Sequence, residues 1–197
     1  MPEALGLLAN VGSKFENDGG LLIAAGEIAF ALRQFAYAAD LFGKAARVDT
    51  RVASEAAPRA QRAADLAGGP GSIVLDFAPN AAQIIVSARV NGSATLQLRI
   101  DAGQRDVVLT QGAARAAGYT VAALPRVRNP AEPSADEIPT AKLQSLTVSG
   151  VSANGLQVIV NDALVGAGAD GVLGQTWLNR FRVVEDRSLG RMVLWSK

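Results

Sequence analysis

The apolar residues of this chain change their spacing at Gly68-Gly69-Pro70, and this change constrains the fold more than any other feature. Before it they recur every three or four residues, the period of an amphipathic helix, and after it they alternate, the period of a half-buried strand. A double Gly often ends a helix and Pro cannot continue one. The sequence therefore predicts two domains, a small α-helical region at 1–68 and a mainly β domain at 69–197.

Helices are expected on both sides of residue 50. An apolar stripe with helical spacing comprises Phe35, Ala38, Ala39, Phe42, Ala45 and Ala46. A second, alanine-rich helix is expected from Ser54 to Leu66, with Pro58 limiting how far back it begins.

Residues 26–49 resemble one tetratricopeptide-type (TPR-like) helical pair. The small and aromatic packing positions of that repeat fall on Gly26, Ala38, Phe42 and Ala45. Thr50 stands where the repeat often has Pro, and no second copy follows. Because a lone repeat cannot bury its own apolar face, these helices are expected to pack on a neighbouring domain or on another copy of the chain. Ordinary core-facing helices and a peptide-binding surface both remain open as interpretations.

Short alternating strands separated by turns fill the second region. The strongest signal is Asn91-Gly92, a two-residue hairpin turn between QIIVSARV and SATLQLRI. Further strands are expected in SIVLDF, DVVLT, KLQSLTVSG, LQVIVND, FRVVED and RMVLW, and QGAARAAGY predicts a small helix that ends at Gly118. Many short strands joined in this way indicate a closed or sandwiched β domain.

The composition excludes several kinds of chemistry. The 197 residues include no Cys and no His, so a disulfide, a zinc–cysteine site, thiol catalysis, a Ser-His-Asp triad and a histidine-ligated metal are all ruled out. A net charge of +1 gives no footprint for nucleic acid or for a charged membrane surface. The apolar stretch at 21–32 is too short to span a bilayer. Catalysis, if present, must use carboxylates, Lys, Ser, Thr or Tyr, with no metal or cofactor implied.

One glycine-rich motif admits a nucleotide-binding interpretation. Gly166, Gly168 and Gly171 have the G-x-G-x-x-G spacing, and the acidic pair Glu185-Asp186 follows at about the twenty-residue distance of a dinucleotide fold. However, only 26 residues follow Gly171, and the preceding strands form hairpins rather than alternating with helices. A parallel nucleotide-binding sheet is therefore disfavoured.

An aspartate at the end of a strand supports a different interpretation. The strand LQLRI is followed by Asp101-Ala102-Gly103, and about seventy residues later Val172-Leu173-Gly174 leads into a short helix and two last strands. Alone, the first motif is compatible with an ordinary turn, because Asp and Gly are common turn residues. Together the two motifs resemble the retropepsin-like aspartic protease family, in particular its bacterial members. The resemblance covers residues 83–197, apart from a Pro-rich segment at 126–139.

The resemblance implies a closed acid-protease barrel and an aspartic endopeptidase that needs no cofactor. Asp101 would be the catalytic residue, Ala102 and Gly103 the active-site loop beside it, and Val172, Leu173 and Gly174 the support beneath that loop. Two carboxylates held about 3 Å apart can hydrolyse a peptide bond by sharing one proton. Since the chain carries one such motif, the resemblance implies a homodimer in which two copies of Asp101 meet, with a polypeptide substrate extended between them.

Departures from the family pattern bear on activity. Ala102 stands where the family has Thr or Ser, so the hydrogen bonds of that hydroxyl, about 1 kcal/mol each, are lost. Arg105 brings a positive charge towards the loop, which would oppose proton sharing. A catalytically weak or inactive peptide-binding relative is therefore the alternative to an active enzyme.

Two further expectations concern the Pro-rich segment and the compartment. Residues 126–139 predict an exposed segment, either a lid over a cleft or an inert surface loop; the flap would correspond to residues 128–139, which lack the Gly that family flaps commonly carry. Bacterial relatives of this architecture are often exported, so the periplasm is expected. The cytoplasm is the alternative, because the start MPEALGLLAN has no secretory signal pattern.

Overall fold

A computed structural model of the chain describes residues 16–128 and 137–197. The chain divides into two units between Pro70 and Gly71. The first unit is helical and the second is mainly β. Within the described residues, no helix has the length and hydropathy needed to cross a bilayer.

The helical unit contains three helices. They are α1 (Gly19–Ala31), α2 (Phe35–Val48) and α3 (Ala53–Ala67), the last with Pro58 inside it. Asp18 caps α1, because its side chain accepts a hydrogen bond of 3.0 Å from the Leu21 amide. The core of the unit comprises Leu22, Ile23, Ala25, Ala29, Ala38, Leu41, Phe42, Ala45, Ala56 and Ala63. Small residues predominate, so the helices approach closely.

Helices α1 and α2 approach each other closely at Gly26. A Cβ atom at this position would lie 2.6 Å from Cε1 of Phe42, a ring that is itself buried. Gly26→Ala is therefore expected to lower the free energy of unfolding of this unit by about 1–3 kcal/mol. Gly43→Ala in α2 is the matched control: the new methyl group would lie 3.4 Å from the flexible Arg47 side chain, and alanine in a helix gains about 0.5–1 kcal/mol. Urea unfolding of both variants measures the difference, and equal stability would contradict the close approach.

The β unit contains two sheets in its described part. The first has three antiparallel strands in the order β1 (Ser72–Asp76), β12 (Arg191–Ser196), β11 (Phe181–Asp186). The second has nine strands in the order β5 (Arg126–Val127), β6 (Ile138–Lys142), β9 (Gln157–Val160), β4 (Val107–Leu109), β10 (Gly171–Leu173), β3 (Ala94–Ile100), β2 (Ile84–Val90), β7 (Leu146–Val148), β8 (Val151–Ala153). This sheet curls into a half-barrel. The short helices are α4 (Gln111–Ala116), α5 (Asp162–Val165) and α6 (Gln175–Leu178), with a 3₁₀ turn at Val121–Ala123.

The two faces of the curled sheet bury different side chains. β2 buries every second residue, as the alternating sequence predicts. β4 is buried on both faces, because Val107 and Leu109 join the main core whereas Val108 joins a separate cluster with Val165 and Val172. The second face is therefore also apolar where β4 and β10 run side by side.

The β2–β3 hairpin differs from the expected two-residue turn. Val90 pairs with Ala94, so three residues form the loop. Asn91 and Gly92 have the positive φ angles, 50° and 71°, that their sequence favours. The Asn91 side chain also donates to Ala117 O and accepts from the amides of Gln144 and Ser145. These contacts with distant segments explain why local turn rules did not give the loop length.

The Pro-rich segment is flanked by paired strands. β5 and β6 are antiparallel, with Arg126 opposite Pro139 and Val127 opposite Ile138. Residues 129–136 between them lie outside the described residues, and with them most of the expected lid or flap. The short strands β5, β6 and β8 and the helix α5 were not expected from the sequence, because segments this short carry little periodicity.

Candidate active site

Asp101 lies directly after β3, at the point where this strand meets β10. The two strands are parallel, with Ile100 opposite Leu173, and the Asp101 amide donates a hydrogen bond of 3.1 Å to Leu173 O. About a third of the Asp101 side chain, 34%, is exposed. The carboxylate is therefore held at the end of a half-buried strand and is accessible from outside.

Small residues allow the loop to fold around this carboxylate. The Gly103 amide donates to Asp101 Oδ1 at 2.8 Å, and a Cβ at Gly103 would come within 3.1 Å of the same oxygen. Ala102 is exposed, and its carbonyl accepts a hydrogen bond of 2.9 Å from Gln175 Nε2. Gln175 was not singled out from the sequence, although it directly follows the second motif. The side-chain amide of Gln175 thus binds the backbone carbonyl of Ala102, the residue that stands where the family has Thr or Ser.

The second motif lies directly against the segment that follows the loop. Val172 and Leu173 are fully buried. After them, the amides of Gln175 and Thr176 donate to Gln104 O and Arg105 O at 2.8 and 2.9 Å. Gly174 leaves no room for a side chain, because a Cβ there would lie 2.7 Å from Gln104 O and closer still to Asp106 O. The contacts of this motif suit the supporting role that the resemblance implies for it.

Arg99 gives Asp101 a positively charged neighbour. Its Nη2 lies 3.4 Å from Asp101 Oδ2, and its Nη1 donates to Val165 O at 3.0 Å. Only 17% of the Arg99 side chain is exposed. The sequence predicts Arg105 as the cation near this loop, but Arg105 is exposed, and Arg99 is the residue that pairs with Asp101. The sequence did carry a signal for Arg99. In an extended chain, side chains two residues apart lie on the same face, so residues 99 and 101 are neighbours there.

A groove passes Asp101. One cavity of about 420 Å³ is lined by Ala82, Gln83, Ile84, Arg99, Ile100, Asp101, Ala102 and Arg187. A second, of about 450 Å³, shares Ile84, Ile100, Ala102 and Arg187 with the first. The second cavity also reaches the apolar side chains of Leu178, Phe181, Val183 and Met192. The carboxylate therefore faces a polar cavity that continues into a partly apolar one.

The glycine-rich motif has a structural role beside this site. Gly166 and Gly168 have positive φ angles, 73° and 87°, in the loop after α5. Gly171 begins β10, so a strand rather than a helix follows the motif. The Asp170 side chain accepts from the Gln97 amide at 2.8 Å. Because no helix N-terminus is presented to a phosphate, the nucleotide-binding interpretation does not fit this arrangement.

Other carboxylates of the region do not join Asp101. The Asp170 side chain accepts the hydrogen bond from the Gln97 amide of β3, and Asp106 directly precedes β4. Within residues 16–128 and 137–197, no group of three or more acidic side chains is arranged to hold a metal ion. In one copy of the chain, the described site thus offers a single carboxylate.

Comparisons with known proteins found a family match and similar solved structures. A family model described as aspartyl protease matches residues 86–177, from β2 to α6, a range that contains both Asp101 and Val172-Leu173-Gly174. Among solved structures, a retropepsin-like aspartic protease from Rickettsia conorii is 20% identical with a TM-score of 0.48, covering 63% of this chain and 88% of that one. The retroviral protease-like domain of Ddi1 from Leishmania major is 15% identical with a TM-score of 0.40, covering 54% of this chain and 82% of that one. None of the curated proteins matches the chain.

The expected resemblance is therefore confirmed. The sequence of the β unit matches the aspartyl protease family model across both motifs, and this mainly β unit is preceded by helices.

Proposed function

We propose that this chain is an aspartic endopeptidase that acts as a homodimer, with one catalytic carboxylate from Asp101 of each copy. The observation that carries the proposal is the position of Asp101. It is one-third exposed, it faces a groove, and its loop is held by Leu173 O, Gly103 N–H and Gln175. Such fixed geometry around an accessible carboxylate is what acid–base catalysis needs.

The chemistry of the proposed pair follows from charge. Two adjacent carboxylates cannot both be ionised, so they share one proton. The ionised member removes a proton from water, and the protonated member donates a hydrogen bond to the scissile carbonyl as the oxygen of that water attacks it. The Gly103 N–H bond to Oδ1 fixes the orientation of each carboxylate during this exchange.

The alternative is a catalytically weak or inactive relative that binds peptides in the same groove. Ala102 favours it, because a methyl group cannot supply the hydrogen bonds of the family hydroxyl. The active enzyme and the peptide-binding relative would both have a groove and form a dimer, but only the enzyme would cleave a bound peptide.

A subunit-mixing experiment tests the proposal. Wild-type protein and the Asp101→Asn variant are co-refolded at several ratios and fixed total concentration, and cleavage of an unfolded protein is measured between about pH 3 and pH 7. If both carboxylates come from different copies, activity follows the square of the wild-type fraction, about a quarter at equal amounts rather than about half. A linear decline would show that each copy acts alone, and no cleavage at any ratio or pH would favour the inactive alternative.

A further inference from the structure

We propose that Arg99 selects substrates that carry a carboxylate side chain next to the scissile bond. This inference rests on the proposed function, because it names the substrate class of the same site. On binding, the substrate carboxylate replaces Asp101 as the partner of the Arg99 guanidinium.

The position of Arg99 places it within reach of a substrate. Arg99 and Asp101 line the same cavity of about 420 Å³, with the guanidinium 3.4 Å from the catalytic oxygen Oδ2. The hydrogen bond of 3.0 Å to Val165 O holds the guanidinium in place. A substrate side chain that contacts Arg99 therefore belongs to a residue next to the peptide bond on which Asp101 acts.

In the proposed dimer, the positive charge of the two Arg99 side chains is not fully compensated. Within the described part of the chain, Asp101 is the one carboxylate at ion-pair distance from Arg99. In one copy the two charges cancel, but two carboxylates that share a proton carry one negative charge opposite two guanidinium groups. Because Arg99 is largely buried, water compensates the excess positive charge poorly. A substrate carboxylate restores neutrality, whereas a neutral or basic side chain does not.

Arg99 also has hydrogen-bonding capacity to spare. A guanidinium has five N–H donors, and two of them are used in the described structure, towards Val165 O and Asp101. The other cation of the cavity, Arg187, is paired with Glu185 at 2.6 Å and donates to Ala81 O. Of the two arginines, Arg99 is therefore the one whose charge compensation changes when the carboxylate pair forms.

The test is a cleavage-site profile followed by kinetics. A chymotryptic peptide library from a whole proteome is incubated with wild-type protein, and the residues flanking each new end are identified by mass spectrometry. Asp and Glu are expected to be enriched there. The best-cleaved peptide is then remade with Gln in place of the acidic residue, and kcat/KM is expected to fall at least about tenfold for wild type.

Three variants separate charge recognition from general loss of structure. Arg99→Gln is expected to remove the Glu-over-Gln preference, while Arg99→Lys keeps part of it. Arg89→Gln, an exposed arginine of β2 outside the cavity, is expected to retain it fully. Thermal midpoints show whether each variant is folded. A preference ratio is independent of the amount of active enzyme, so a purely structural role of Arg99 would not change it.

Binding to the Asp101→Asn protein keeps the inference testable without catalysis. The same library is bound to this variant and the retained peptides are identified, with acidic peptides expected to be enriched, and the enrichment lost in the Asp101→Asn/Arg99→Gln double variant. Cleavage that needs Asp101 but shows no acidic preference would overturn this inference and leave the proposed function standing. No cleavage, but Arg99-dependent capture of acidic peptides, would overturn the proposed enzyme and keep Arg99 as the recognition residue. Absence of acidic enrichment in both assays would overturn the role of Arg99.

Discussion

Asp101→Asn is expected to reduce kcat/KM for peptide hydrolysis by about 10²–10⁴-fold, the usual contribution of general acid–base catalysis. Asparagine has nearly the same shape, and its amide oxygen can still accept the hydrogen bond from the Gly103 amide. It cannot be ionised, however, so it cannot take a proton from water or share one with the second copy. The variant should therefore remain folded, and keep the oligomeric state of the wild-type protein, while losing activity.

Asp106→Asn is the matched control for this prediction. The substitution is chemically identical, lies five residues further along the same segment, and falls outside the lining of both cavities. Activity within about twofold of wild type is expected there. Hydrolysis rates, circular dichroism and molar mass by light scattering are measured for both variants. Equal residual activity in the two would point to a contaminating protease, and equal loss would place the catalytic group elsewhere.

Gly174→Ala is expected to lower the free energy of unfolding of the β unit by about 3 kcal/mol or more. The added methyl group would meet backbone atoms of three consecutive residues, with Gln104 O at 2.7 Å and the Arg105 carbonyl carbon at 2.9 Å. Side chains can rotate away from such a contact, but this backbone is fixed by the bonds from Gln175 and Thr176. The whole segment after Asp101 must therefore shift, and activity falls with stability.

Gly112→Ala provides the comparison for this prediction. Gly112 lies in α4, and the nearest atom to a Cβ there would be Thr110 Oγ1 at 3.9 Å. Alanine is favoured over glycine in a helix by about 0.5–1 kcal/mol, so this variant should be at least as stable as wild type. Guanidinium unfolding monitored by the fluorescence of Trp177 and Trp195, both in the β unit, measures the stability of both variants. Wild-type stability of Gly174→Ala would show that the loop segment is not packed against Gly174.

Much of the fold was predictable because its signals are local. Alternating apolar residues gave β2 and β3, helical spacing gave α2 and α3, and Asp101 with Val172-Leu173-Gly174 gave the protease class. The elements that were missed depend on contacts across the chain. Gln175 reaches the loop only because β3 lies beside β10, which no local pattern states. For Arg99 a local signal existed, because the two-residue period of an extended chain places residues 99 and 101 on one face.

The loop that holds Asp101 is built from segments far apart in the chain, and this has a consequence for biosynthesis. The contact from Gln97 to Asp170 spans 73 residues, and the pair Asp76–Arg191, in the sheet that includes the last strand, spans 115. Contacts of such long sequence separation form slowly and late in folding. During translation, Asp101 leaves the ribosome well before Leu173 and Gly174 exist to hold its loop. A nascent chain that does not yet extend to Gly174 therefore lacks the contacts that hold the Asp101 loop, so the proposed catalytic pair cannot form until that segment has been synthesised.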